Sequence, residues 1–244
     1  AGIKIKSSDY GNVSKWDVSN VTSMLNLFTY ATLFNQPLNS WDVSNVTSMK
    51  GMFQVATSFN QPINSWNVSN VTTMYAMFFE SSFNQPLDSW DVSKVTNMAF
   101  MFEKTPFNQP LNNWDVSNVT NMEAIFYLTN FNHQINNWNV SSVTNMNSMF
   151  EQSQFNQPLN NWDVSKVTNM MNMFNRTPFN QPLDKWNVSS VTNMNTMFAQ
   201  SQFNQPLNNW DVSKVTTMYL LFLEATNFNQ PLSCWDVSKV TNMS

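Results

Sequence analysis

An acid or amide side chain directly follows every tryptophan in this chain: Asp17, Asp42, Asn67, Asp91, Asp115, Asn139, Asp163, Asn187, Asp211 and Asp236. A file of oxygens repeated at one place in each unit is suited to binding Ca²⁺ or sugar hydroxyls. On that reading Asp42, Asn67, Asp91, Asp115, Asn139, Asp163, Asn187 and Asp211 are the candidate binding residues. The competing reading is a set of Asx turns, in which each side chain caps its own backbone. It is the stronger of the two, because a cation needs oxygens converging on one point and a straight file does not converge. Carboxylates ~4.8 Å apart on neighbouring strands also repel, which the interspersed Asn residues relieve. No cofactor is therefore expected, Ca²⁺ being the one ion considered.

Three residues further on stand Asn20, Asn45, Asn70, Lys94, Asn118, Ser142, Lys166, Ser190, Lys214 and Lys239. Each lysine of this column lies in a unit whose preceding acid/amide residue is Asp, which predicts local pairs such as Asp91–Lys94, worth under ~1 kcal/mol. Paired lysines and a net charge of −4 do not make a track for nucleic acid. His133 stands alone in a column otherwise occupied by Gln, and Cys234 is the single cysteine, so neither a metal cluster nor a disulfide framework is expected. N-x-S/T sequons are frequent, but most fall inside the repeated unit, where structural need explains them. No nucleophile–base set or phosphate loop is visible at any spacing, and the chain is expected not to be an enzyme. No apolar run approaches the ~18 residues of a membrane span.

What would position these columns is the tryptophan period itself. Trp16, Trp41, Trp66, Trp90, Trp114, Trp138, Trp162, Trp186, Trp210 and Trp235 recur at intervals of 24 or 25 residues. Such a period is the signature of a solenoid. In the unit FNQPLNSWDVSNVTSMKGMFQVATS (Phe34 to Ser58), Leu38, Trp41 and Val43 follow leucine-rich-repeat spacing, and Trp41 and Val43 alternate with Asp42 as on a strand. Val46, Met49, Met52 and Phe53 follow helical spacing, with Thr47 as the expected N-cap and Pro37 as a breaker. Asn and Gln of the Asn-Gln-Pro turn are expected to form hydrogen-bond ladders from unit to unit. The extra residue of 25-residue units always falls between the two phenylalanines (Thr29–Leu33, Gln54–Ser58, Leu223–Asn227), as a surface insertion would. The expected fold is thus an α/β solenoid: a leucine-rich-repeat-like, right-handed stack of about ten coils, each a short parallel strand plus a short α or 3₁₀ helix. Residues 1–244 form one repeat domain. Residues 1–15, with Ile3 and Ile5 alternating with Lys4 and Lys6, read as a cap, and the chain stops in mid-repeat, as a fragment or a self-stacking subunit would.

The unit F-N-Q-P-L-N-x-W-D-V-S-N-V-T-x-M-x-x-M-F resembles the bacterial-surface-protein repeat of about 25 residues, a BspA-like branch of the leucine-rich repeats, from Gly11 to Met243. The resemblance implies a cell-surface or secreted adhesion or interaction module with no catalytic residues. The reading that follows is a non-catalytic scaffold that binds a protein or glycan through its polar strand face. The alternative is a filament or sheath subunit that associates end to end at its exposed C-terminal coil.

Overall fold

The computed structural model describes residues 11–243. The N-terminal capping strand expected at Ile3 and Ile5 lies outside them. Burial follows the repeat. Phe53, Phe59, Met49, Met52 and Val46 are fully buried and Trp41 nearly so, and their counterparts in the following units join them in one continuous core. The rings stand in files. Trp41–Trp66, Trp66–Trp90 and Trp114–Trp138 stack at 6.4–6.5 Å between centroids with planes within 6°. The two phenylalanines of one unit stack closely, as Phe53–Phe59 at 3.8 Å and Phe126–Phe131 at 4.0 Å. Each unit therefore buries its apolar side chains against the unit before and the unit after. Stacked aromatic pairs contribute ~0.5–1.5 kcal/mol beyond the area they bury.

The backbone that delivers these side chains is not the expected one. Among the described residues there is no β-strand, no sheet and no α-helix. The one helical element among the described residues is a 3₁₀ turn, Val13–Lys15. The strand-and-helix solenoid is thereby overturned, and the units consist of successive turns.

The backbone hydrogen bonds explain why. In the segment expected to be helical, alternate amides leave their own unit. Met122 N donates to Asn145 O (3.1 Å), Ala124 N to Asn147 O (2.8 Å), Phe126 N to Met149 O (3.0 Å) and Leu128 N to Glu151 O (2.9 Å). The intervening amides close tight turns within the unit, Ile125 N to Met122 O (3.3 Å) and Tyr127 N to Ala124 O (3.1 Å). An α-helix would need Phe126 N to meet the carbonyl four residues back, but that amide is already paired with the next unit. The same inward spacing of Met122, Ile125 and Phe126 arises from overlapping turns. In the first of them the third residue, Ala124, has a left-handed φ of 50°, as a type II turn demands, and Leu128 repeats that conformation four residues on, at 53°.

In the segment expected to be a strand, the amides are again used locally. Trp114 N bonds Leu111 O (3.1 Å), Val119 N bonds Val116 O (2.9 Å) and Ser117 N bonds Asp115 Oδ1 (3.0 Å). The alternation survives, with Trp114 and Val116 buried and Asp115 exposed, but no ladder forms. Parallel pairing between units is confined to isolated bridges, such as Asn97↔Asn121 and Asn121↔Asn145. The threonine beside each bridge is not a helix cap: Thr120 donates both its N (2.9 Å) and its Oγ1 (3.1 Å) to Thr96 O of the previous unit.

Side chains supply the remaining links. From Trp41 to Trp235 each indole N–H reaches a carbonyl of the preceding unit, as Trp114 Nε1 to Leu87 O (2.9 Å) and Trp138 Nε1 to Leu111 O (3.0 Å). The asparagine of the proline turn accepts the amide of its successor: Asn156 N to Asn132 Oδ1, Asn180 N to Asn156 Oδ1 and Asn204 N to Asn180 Oδ1, each 2.9 Å. This is the ladder the Asn column predicts. The insertions fall on the surface, with Leu33 at 75% exposure.

Candidate functional site

The acid/amide column after tryptophan stands in one exposed file, Asp42, Asn67, Asp91, Asp115, Asn139, Asp163, Asn187 and Asp211 included. In each case Oδ1 accepts the amide of the serine two residues on, at 3.0–3.2 Å. The file is thus a series of Asx turns that set up the bend between Val116 and Val119 and its counterparts. The hydroxyl and then the amide of that serine hold the Asp42, Asp91, Asp163 and Asp211 carboxyls below their ordinary range. Among the described residues no group of three or more His, Cys, Asp or Glu side chains is placed to hold a metal.

The neighbouring lysine column behaves differently from its expectation. Lys94 donates to Asn70 Oδ1 of the previous unit (2.7 Å), and among the described residues the ion pairs are those of Lys104, with Glu80 at 2.8 Å and Glu103 at 3.9 Å. A long side chain reaches the adjacent unit more easily than it folds back over its own turn. His133 Nε2 lies 3.1 Å from Asn108 O, the kind of contact Gln109 Nε2 makes with Asn84 O (3.3 Å). It replaces glutamine structurally, in a polar pocket with Pro110, Asn112, Gln134, Asn136 and Asn137. Cys234 is exposed and free. The end-to-end association expected at the last coil falls on an apolar hollow of ≈ 500 Å³, lined by Met218, Leu221, Phe222, Leu232, Trp235 and Met243 among others.

The residues a search for repetition overlooks are those that do not repeat. Within M-x-x-M-F-x-x the Met and Phe positions point inward, and the four x positions lie at the tips of the overlapping turns. All five glutamates of the chain (Glu80, Glu103, Glu123, Glu151, Glu224) fall in these four columns, as does its one arginine, Arg176. So do both phenylalanines outside the core columns, Phe79 and Phe100, and every tyrosine except Tyr10. Such clustering is visible in the sequence once the constant columns are set aside.

The structure brings the central part of this face together. Tyr75 and Phe100 meet edge to face, 5.3 Å between centroids. Lys50 Nζ sits 4.7 Å above the Tyr75 ring, and Lys104 Nζ 5.5 Å above the Phe79 ring. Asn145 and Asn147 Nδ2 donate to the Glu123 carboxylate at 3.1 and 2.9 Å, and Asn175 Nδ2 to Glu151 at 3.0 Å. Glu103 differs from both. Its side chain is 10% exposed, and among the described residues no hydrogen bond reaches its carboxylate. Burial, reinforced by Glu80, Glu123 and Glu151 and opposed by Lys104, pushes its pKa up to about 7.

A family model described as a Mycoplasma protein of unknown function, DUF285, matches residues 3–109, 103–201 and 152–244. The chain belongs to the DUF285 family. Three tandem matches show a repeat protein, in accord with the stacked units above. No curated protein matches the chain. Among the described residues of this DUF285 chain, no helix is long and apolar enough to cross a membrane.

Proposed function

We propose that this DUF285 protein is a non-catalytic binding scaffold of the cell surface or the secreted space, related in its repeat to the bacterial-surface-protein modules. The carrying observation is the division of labour within the repeat. Constant columns build the stack, while every glutamate, the one arginine and all off-core aromatics beyond Tyr10 gather at the turn tips. Side chains that vary on a rigid, periodic frame are how repeat proteins diversify a binding surface. In the Asx turns the Ser19 and Ser93 hydroxyls donate to the Asp17 and Asp91 carboxylates.

Two faces compete for the recognition role: the exposed Asx file and the turn-tip face. The second is favoured, because aromatic and charged side chains dominate binding energy at interfaces. A screen against protein and glycan arrays tests this, run with the parent chain and with Asp42, Asp91, Asp115 and Asp163 changed together to Asn. Binding that survives this change assigns recognition away from the Asx file. Absence of any ligand in both arrays would contradict the scaffold reading.

A further inference from the structure

Resting on the scaffold reading, we infer that the turn-tip face from Tyr75 to Glu151 docks a cationic segment of a partner polypeptide, its lysine or arginine side chains lying between the rings of Phe100 and Tyr127 and the carboxylates of Glu103, Glu123 and Glu151. Three observations converge on that occupant.

The charge is complementary. Between Tyr75 and Gln152 the turn-tip columns hold four glutamates and a single cation, Lys104. Four aromatic rings lie among them: Tyr75, Phe79, Phe100 and Tyr127.

The face also already binds ammonium groups of its own. Lys104 Nζ rests on the Phe79 ring and bonds Glu80 Oε1 at 2.8 Å, and Lys50 Nζ rests on the Tyr75 ring. Ring plus carboxylate is therefore a working cation seat here, by the quadrupole attraction that favours Lys and Arg over aromatic faces. One rung along, the same pieces recur with Lys104 as their one internal cation, and it reaches Glu103 only at 3.9 Å. Glu103, Tyr127 and Glu151 occupy one column on three successive units, joined through Lys104 N to Tyr127 O (2.8 Å) and Leu128 N to Glu151 O (2.9 Å).

The third observation is Glu103 itself, a carboxylate nine-tenths buried that accepts no hydrogen bond among the described residues. Buried polar groups are hydrogen-bonded as a rule; Glu103 has only the long ion pair to Lys104 at 3.9 Å, so its carboxylate has acceptor capacity left for a donor at hydrogen-bond distance. An incoming guanidinium or ammonium supplies it. The charged and titratable groups facing Glu103 are Glu80, Lys104, Glu123 and Glu151, with Tyr127 close to Lys104. Near neutral pH Glu103 is part-protonated, so an arriving cation draws its pKa down and a proton is released.

The experiment measures binding of a fluorescent arginine–serine repeat peptide to the full chain by anisotropy, with a glutamate–serine peptide as control. The expected result is binding of the basic peptide alone, weakened about tenfold in the triple variant Glu103→Gln, Glu123→Gln, Glu151→Gln, and unchanged in the Asp42, Asp91, Asp115, Asp163→Asn variant. Equal affinity of parent and triple variant overturns the inference. If the Asx variant alone loses binding, the turn-tip face fails while the scaffold reading stands. If the basic peptide does not bind but the array screen finds another ligand, again only this inference falls. Calorimetry of the unmodified chain at pH 7 in two buffers of different ionisation enthalpy needs no variant. Net proton release supports the proposal, and binding with no proton exchanged overturns it.

Discussion

Asn156 offers a test of how one unit holds the next. Its Oδ1 accepts two bonds from the following unit, Asn180 N at 2.9 Å and Gln181 Nε2 at 3.1 Å. Asn156→Ala removes both. Each such bond contributes ~1 kcal/mol net, and a donor left without a partner adds a penalty toward the lower end of ~1–3 kcal/mol where water has partial access. The expected cost is about 2 kcal/mol, less than the sum because water re-solvates Gln181. Asn156→Asp keeps the acceptor oxygen in a column whose neighbours, Asn132 and Asn180, are neutral, so its cost stays below ~0.5 kcal/mol. Urea unfolding followed by tryptophan emission measures both. Because long repeat arrays can unfold in parts, the exchange rate of the Asn180 amide is read alongside. Loss of protection at Asn180 in the alanine variant but not in the aspartate variant is the expected pattern. An aspartate variant as damaged as alanine, or an alanine variant within ~0.5 kcal/mol of the parent, refutes the acceptor role.

Other perturbations have outcomes that follow from the same geometry. Trp138→Phe deletes the indole bond to Leu111 O (3.0 Å) and part of a buried ring, and is expected to cost ~1–3 kcal/mol in denaturant midpoint. Glu103→Gln stabilises in a pH-dependent way. The folded pKa lies above the unfolded value, so the wild type is unpenalised below 4.5 and loses stability as pH rises toward about 7; the variant's advantage grows across that window, to at most ~3 kcal/mol, and is flat above it. A variant advantage that does not change with pH would contradict this. Asp163→Asn leaves stability at pH 7 within ~0.5 kcal/mol, as Asn139 and Asn187 already make the same turn. Because the folded Asp163 pKa is lowered, the wild type alone sheds stability as pH falls below 3.8, and melting curves of the two chains should diverge there.

Much of the packing was legible in the tryptophan period: the inward set of Trp, Val, Met and Phe, the surface position of the insertions, the asparagine ladder and the Asx turns. The backbone was not. Met122, Ile125 and Phe126 are spaced as on a helix, but two overlapping turns turn the same residues inward. The difference lies in whether Phe126 N bonds within its unit or to Met149 O, a long-range choice that local spacing does not encode. Left-handed φ usually announces itself by Gly or Asn, whereas here it falls on Val55, Lys104 and Leu128, so propensity gave no warning. Thr47 suggested a cap because its type fits one, and only the stacked neighbour reveals Thr22 O as its partner. The turn-tip face was missed for the opposite reason. Alignment of units directs attention to what is constant, and Glu103, Phe100 and Tyr127 carry their information by differing.

The central claim is that alternate amides of each unit pair with the next unit and so display the turn tips as one face. Scalar coupling across hydrogen bonds, measured by NMR on labelled protein, reads this directly at Phe126. Coupling of the Phe126 amide nitrogen to the Met149 carbonyl carbon is the predicted result. Coupling to the Met122 carbonyl carbon instead would restore the helix and contradict the stacked-turn architecture.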